Sequence, residues 1–253
     1  MRVLAIVPTY NERDNLPILV RALRERVPGI ELLVIDDASP DGTGEVAEEL
    51  AHETGAVAVQ HRPGKLGLGS AYVGGFQYAI ARRYDRVIQM DADLSHRPAD
   101  VPALLAATEA ADVAIGSRNI PGGRTPGWPA ERRLISRFGS LYARTLLSLP
   151  VQDCTSGFKC FRGAALEMIE LDRLRSNGYA FQVEVNYACA RAGLRLTEVP
   201  IVFPERVNGV SKMSGGIAWE AARLVLQLRR GATPAQPRRE AVEVAPVRRE
   251  AHA

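Results

Sequence analysis

Val87-Ile88-Gln89-Met90-Asp91-Ala92-Asp93-Leu94-Ser95-His96-Arg97-Pro98 is a strand-like apolar run that stops at two carboxylates. One residue separates Asp91 from Asp93, and in an extended or gently turning backbone alternate side chains point the same way. Both carboxylates can therefore face one small volume past the strand's carboxyl end, where open α/β sheets bind ligands. Two adjacent carboxylates resist ionising together. A divalent cation removes the conflict, because hard cations such as Mg²⁺ and Mn²⁺ take oxygen ligands. The same residues also suit an acidic turn capping the next helix, with Asp93 or Ser95 as the N-cap.

Outward from this stretch the first half of the chain alternates strand and helix. Strands are expected at Val3–Val7, Glu31–Ile35, Val57–Gln60, Arg86–Met90 and Val113–Gly116. Helices are expected between them, the first opening at Asn11-Glu12-Arg13-Asp14 with Leu16, Leu19, Val20 and Leu23 on one face. Such alternation predicts an α/β fold with a mostly parallel sheet, right-handed crossovers and helices on its faces. After Gly116 the pattern changes. A Gly/Pro-rich loop with Trp128 leads into a helix over roughly 131–149, then a short strand, helices near 163–170 and 182–192, and a strand over Leu194–Phe203. Ile217–Arg230 is an amphipathic helix, and residues 231–253, poor in apolar side chains, read as a disordered tail. The organisation expected is one domain over 1–230, with a nucleotide-binding half (1–118) and a second half (119–230).

Bulk properties narrow the partners. The 253 residues are 46% hydrophobic, enough for a sizeable core, and the net charge of +3 is too small to argue for nucleic acid. Cys154, Cys160 and Cys189 have no CxxC spacing, which points to packing thiols in a reducing, cytoplasmic compartment. Met1-Arg2 runs straight into a strand, so no signal peptide is expected. The longest uncharged stretch, Leu66–Ala81, carries four glycines and is too polar to span a bilayer. The protein reads as soluble or peripheral to a membrane.

Three loops follow the carboxyl ends of different strands: Pro8-Thr9-Tyr10-Asn11-Glu12, Asp36-Asp37-Ala38-Ser39-Pro40-Asp41-Gly42, and Asp91-Ala92-Asp93. Parallel strands place all three on one sheet edge. Acids there can read donors on a base and the hydroxyls of a ribose, while a metal holds a diphosphate, so a nucleotide with an activated group is the natural ligand. Gly67, Gly69, Gly74 and Gly75 do not fit the dinucleotide fingerprint, since Tyr72 interrupts it, and read as helix–sheet packing with Lys65 as a phosphate or base contact. Basic residues cluster from Arg118 to Leu149, where six arginines face one acid, Glu131. Arg132 and Ser136 stand at i, i+4, and arginine forks bind phosphate. The apolar residues of that helix, Ile135, Phe138, Leu141, Tyr142 and Leu146, suit either a core-facing stripe or a membrane surface. His96 reads as a structural partner, and no nucleophile elbow or catalytic triad spacing is present.

Taken in order, Val7-Pro8-Thr9-Tyr10-Asn11-Glu12, Asp36-Asp37-Ala38-Ser39-Pro40-Asp41-Gly42-Thr43, Met90-Asp91-Ala92-Asp93 and Gly116-Ser117-Arg118 resemble family 2 glycosyltransferases of the GT-A, Rossmann-like fold. Trp128-Pro129, Arg132-Arg133-Leu134-Ile135-Ser136, Ser156-Gly157-Phe158-Lys159, Gly178-Tyr179-Ala180-Phe181-Gln182 and Glu198-Val199-Pro200-Ile201 are similar to dolichyl (polyprenyl) phosphate mannose synthases. The resemblance covers about residues 1–230. It implies GDP-mannose as donor, a polyprenyl phosphate acceptor, Mg²⁺ or Mn²⁺, and work at the cytoplasmic face of a membrane, with or without a separate membrane subunit. It would give Pro8, Tyr10, Glu12, Ile35 and Asp37 to the guanosine, and Asp91 and Asp93 to the metal, with Ala92 lining the site. Arg206 and Lys212 would close over diphosphate and sugar, and Arg118, Arg132 and Ser136 would hold the acceptor phosphate. Many relatives have Gln where this chain has Ser95, so a metal contact from Ser95 would run through water. Rival readings are a UDP-glucose enzyme acting on the same lipids, a non-catalytic nucleotide-sugar binder and a nucleotidyltransferase.

Overall fold

The computed structural model describes residues 1–205 and 215–230, the side chains of 215–221 excepted. Arg206, Lys212 and the 231–253 tail lie outside the described residues. Seven strands form one sheet: β1 (Val3–Thr9), β2 (Glu31–Asp36), β3 (Val57–His61), β4 (Arg86–Gln89), β5 (Val113–Ser117), β6 (Lys159–Arg162) and β7 (Leu196–Pro200). Around it run α1 (Asn15–Arg26), α2 (Thr43–Thr54), α3 (Leu68–Ala81), α4 (Val101–Ala107), α5 (Ala130–Leu147), α6 (Gly163–Glu167), α7 (Gly178–Arg191) and α8 (Gly215–Arg229).

The sheet order is β3-β2-β1-β4-β6-β5-β7. β3, β2, β1 and β4 are parallel neighbours, as are β5 and β7. β6 is inserted antiparallel to both β4 and β5. The alternation of strand and helix did not foretell this: the short strand expected after α5 carries no sign of its direction, and β6 is entered from a tight turn at 153–158. Because β4 and β5 both oppose β6, they run parallel to each other, and their carboxyl ends meet the same edge of the sheet.

Strand period builds the core. On β1, Leu4 and Ile6 join one buried cluster with α3 and α7, whereas Ala5 and Val7 join the other with α1 and α4. α3 can lie close on the sheet because of its glycines. A Cβ at Gly75 would stand 2.6 Å from Ile6 Cγ2, and one at Gly69 would strike the Ser176 carbonyl at 2.1 Å. Gly74 faces open space, so the packing role falls on its neighbours. Tyr72 stacks on Phe76 and Phe181 in the resulting layer, and Phe161 meets Phe76 edge-on.

Two boundaries differ from expectation. α1 opens at Asn15, not Asn11, because Asn11 takes a left-handed backbone (φ 61°) and the N–H groups of residues 11–13 are used by the neighbouring loop. α5 does not turn its large apolar residues inward. Ser140, Ala143 and Leu147 are its buried positions, while Leu134, Ile135, Phe138, Leu141 and Tyr142 are exposed. The core-facing reading of that stripe is overturned, apart from half-buried Leu146: the stripe stays largely exposed even where α8 packs on α5, the Tyr142 hydroxyl donating to the Ala222 carbonyl at 3.2 Å.

Candidate active site

The loops after β1 and β2 are sewn together by their own polar side chains. The N–H of Asn11 donates to Ser39 Oγ (3.1 Å), that of Glu12 to Thr43 Oγ1 (2.9 Å) and that of Arg13 to Asp41 Oδ2 (3.3 Å). Burial alone would raise the Asp41 carboxyl, but hydrogen bonds from Thr43 and the Arg13 N–H hold it below the usual range. Asp36 is buried and accepts from Thr9 (3.0 Å) and from Ser39, so it stiffens the floor and does not face a ligand. Asn11 (φ 61°), Ala38 (φ 54°) and Leu94 (φ 61°) are non-glycine residues held left-handed, one in each of the three loops. Strain of this kind, on the order of 1–3 kcal/mol per residue, gathers where a site must be pre-shaped.

Several residues expected on the nucleotide side meet here. The Lys65 ammonium sits 3.7 Å from the centre of the Tyr10 ring, a cation–π contact. Asp37 pairs with buried Arg62 at 2.9 Å and accepts the Gly67 N–H at 3.3 Å. Burial pushes the Asp37 carboxyl above its ordinary range even with Arg62 opposing it. Pro8 stands in register with Ile35 across β1 and β2, but the Ile35 side chain is 1% exposed and belongs to the core. Glu12 accepts from Asn15 Nδ2 at 2.8 Å. Arg62 was not singled out from sequence; a lone arginine after a strand carries no signal until its partner is known.

Asp91, Ala92 and Asp93 follow β4 on the same edge. Buried Tyr72 donates to Asp91 Oδ1 (3.2 Å), and Ser95 gives both its N–H (3.1 Å) and its hydroxyl (2.5 Å) to Asp93 Oδ1. Ser95 is 1% exposed, so it orients Asp93. Ala92 is also buried. The Asp91 N–H donates to His96 Nδ1 at 2.8 Å. That ring is fully enclosed, and burial keeps its pKa below the usual histidine value despite the nearby carboxylates. A neutral His96 accepting at Nδ1 is the tautomer that this contact requires. His96 is thus a structural partner, as its isolation in the sequence suggested.

His96 also links the acidic pair to the arginines. It stacks on Phe158 (4.9 Å between ring centres) and meets Phe203 edge-on (5.3 Å), and Phe203 in turn meets Trp128 (5.5 Å). Arg118 lies 5.5 Å from Trp128 and 5.4 Å from Phe203, and Arg132 stacks 3.9 Å from Trp128. Arg118 is held by a fork to fully buried Asp153, with Nε and Nη2 each 2.7 Å from a carboxylate oxygen, and by Thr155 Oγ1 at 2.8 Å. Glu198 braces Asp153 from behind by accepting the N–H groups of Gln152 (2.7 Å) and Asp153 (2.9 Å). Burial would raise the Asp153 carboxyl, but Arg118 holds it below the ordinary range. Ser136 lies one turn beyond Arg132 on α5.

Oxygen donors at Asp91 and Asp93, oriented by Tyr72 and Ser95, stand on one edge with two arginines gathered around Trp128. Residues 4–169 match the family described as glycosyl transferase family 2. The chain belongs to glycosyl transferase family 2. The resemblance drawn from the motifs is borne out by two relatives of this family 2 glycosyltransferase. The undecaprenyl-phosphate mannosyltransferase of Micrococcus luteus is 51% identical over 221 residues, covering 87% of this chain and 91% of the relative. The polyprenol monophosphomannose synthase of Mycolicibacterium smegmatis is 46% identical over 222 residues, covering 87% and 84%. The fold matches glucosyl-3-phosphoglycerate synthase of Mycobacterium tuberculosis, solved with Mn²⁺, UDP and glucosyl-3-phosphoglycerate, with a TM-score of 0.66 at 21% identity over 92% of this chain and 81% of that one. The GT-A architecture expected from sequence is therefore present.

Proposed function

We propose that this family 2 glycosyltransferase moves mannose from GDP-mannose to a polyprenyl phosphate with inversion, releasing GDP. The reading is carried by the arrangement of Arg118 and Arg132 about Trp128 on the same sheet edge as Asp91 and Asp93. The names of the two relatives, both of polyprenol-phosphate mannosyl transfer, support it.

A phosphate monoester is already largely a dianion near neutral pH, with a second pKa of about 6. It needs no general base to deprotonate it. It needs cations to bring it against a diphosphate; Arg118 and Arg132 supply them, and the Ser136 hydroxyl adds a hydrogen-bond donor. Asp153 keeps Arg118 aimed, and the Tyr10, Glu12, Asp37 and Lys65 side chains receive the guanosine. Attack in line on the anomeric carbon then inverts it. Arg206 and Lys212, carried over from the resemblance, would meet the departing GDP.

Among the described residues no three His, Cys, Asp or Glu side chains cluster to hold an ion by themselves. Two carboxylates alone fit an octahedral cation that takes its other ligands from phosphate oxygens and water, the habit of Mg²⁺ and Mn²⁺. Asp91 and Asp93 would hold it, and when bound it neutralises charge on the leaving diphosphate.

The lipid end of the acceptor is to be met at a membrane. Among the described residues no helix is long and apolar enough to cross one. α5 instead exposes Leu134, Ile135, Phe138, Leu141 and Tyr142 beside exposed Arg133, Arg137 and Arg144. Apolar residues that dip and arginines that pair with anionic headgroups fit peripheral docking on the cytoplasmic face.

The test is a donor screen: GDP-mannose, UDP-glucose and GDP-glucose, each with one polyprenyl phosphate, followed by extraction and anomeric assignment of the lipid. A β-linked mannolipid from GDP-mannose alone is expected. A glucolipid, or donor hydrolysis without lipid product, would refute the reading.

A further inference from the structure

Glu205 makes a contact that the transfer chemistry does not call for. Its Oε1 lies 2.8 Å from Arg132 Nη1. The chain holds it there by a short ladder in which the Arg124 N–H donates to the Ile201 carbonyl (2.9 Å), the Phe203 N–H to Arg124 (2.8 Å) and the Glu205 N–H to Pro126 (3.2 Å). Gly127, left-handed at φ 82°, packs against it, and a Cβ there would stand 3.2 Å from Glu205 Cβ. The carboxylate is therefore carried to Arg132 by backbone pairing between two segments that flank Trp128. It is not a chance meeting of long surface side chains.

The contact also leaves the site incompletely satisfied. Among the described residues Arg132 Nε and Trp128 Nε1 are buried donors without an acceptor. Buried donors of this kind are rare and ask for a missing partner. A carboxylate offers two oxygens, whereas a phosphate monoester offers three strong acceptors. Arg132 is 12% exposed and Glu205 is 44% exposed, so the acid can swing into water while the arginine stays in place.

We propose that Glu205 is an internal competitor for the acceptor phosphate, occupying Arg132 until the phosphate displaces it, and so sets the affinity for the lipid. The proposal rests on the reading of Arg132 as an acceptor-phosphate residue. Arg132 is released from one anion only by gaining another, which leaves no uncompensated guanidinium at any stage. The exchange involves none of the residues assigned to the guanosine, so it leaves donor binding unchanged.

The experiment uses the full chain with GDP-mannose and a short-chain polyprenyl phosphate. Glu205→Gln should lower the acceptor KM about two- to fivefold, the size of a partly exposed ion pair. The GDP-mannose KM and the melting temperature should stay as in wild type. Glu205→Asp should restore the wild-type acceptor KM in part, and Glu205→Gln should have no effect on acceptor KM in an Arg132→Ala background. An acceptor KM unchanged or raised by Glu205→Gln, or one that falls equally without Arg132, overturns the proposal. Failure of the underlying reading looks different: wild type then forms no mannolipid, or Arg132→Ala alone leaves the acceptor KM where it was.

Discussion

Asp91 and Asp93 owe their pairing to one intervening residue and a turn that Leu94 closes in a left-handed conformation. Ser95, His96 and Tyr72 then spend their polar atoms on holding that turn. The arginine side is built on the same plan, with Asp153 and Thr155 fixing Arg118 from within. Removing the charge of Asp153 would strand a buried guanidinium, so Asp153→Asn should cost about 3–5 kcal/mol in denaturant unfolding. It should also raise the acceptor KM more than the donor KM. A loss under 1 kcal/mol would mean that Arg118 finds another partner. Ala38 offers the opposite test. It is exposed and left-handed at φ 54°, so Ala38→Gly should stabilise the protein by about 0.5–1 kcal/mol, the αL penalty of a Cβ less the extra chain entropy of glycine. A fall in melting temperature would argue against strain there. Acid positions at strand ends were legible from sequence because loop chemistry follows strand ends. Arg62, Tyr72, Asp153 and Glu205 were not, since each matters only through a partner distant in the chain.

α5 shows how an element's periodicity can be right and its meaning open. Its apolar stripe was visible in the sequence, but periodicity does not say which face the rest of the molecule covers. The answer lies in the buried positions Ser140, Ala143 and Leu147, the first two small enough for α5 to sit close, leaving Phe138 (61% exposed) and Leu141 (55% exposed) outward. Replacing both with serine should leave the unfolding free energy within about 0.5 kcal/mol, as for other surface changes. The same double variant should lose sedimentation with anionic vesicles and lose activity on long-chain polyprenyl phosphate in those vesicles. Activity on a short, soluble acceptor should persist. Retained vesicle binding would remove α5 from the docking surface, and a wild type that binds no vesicles by itself would point to a separate membrane subunit.

At the scale of the whole molecule, six of the seven strands among the described residues share one direction, and the one that does not follows the turn that holds Arg118. β6 enters antiparallel between β4 and β5, and the turn before it carries Asp153 and Thr155 to Arg118. The parallel half was readable because alternating strands and helices admit few topologies. The insertion was not, because short strands such as Lys159–Arg162 are too brief to declare a direction. Cys154, Cys160 and Cys189 serve only this core: burial pushes each thiol up to about 12. At pH 8 a thiol reagent should therefore label none of them in the native protein and all three in denaturant; prompt native labelling would contradict their burial. The most direct test of the central claim is mannose transfer from GDP-mannose to a short polyprenyl phosphate by wild type, Asp93→Ala and Arg118→Ala. The account predicts a mannolipid from wild type and at least about a hundredfold less from each variant, the usual scale for losing one charge-stabilising group. Near wild-type turnover in both variants would contradict it.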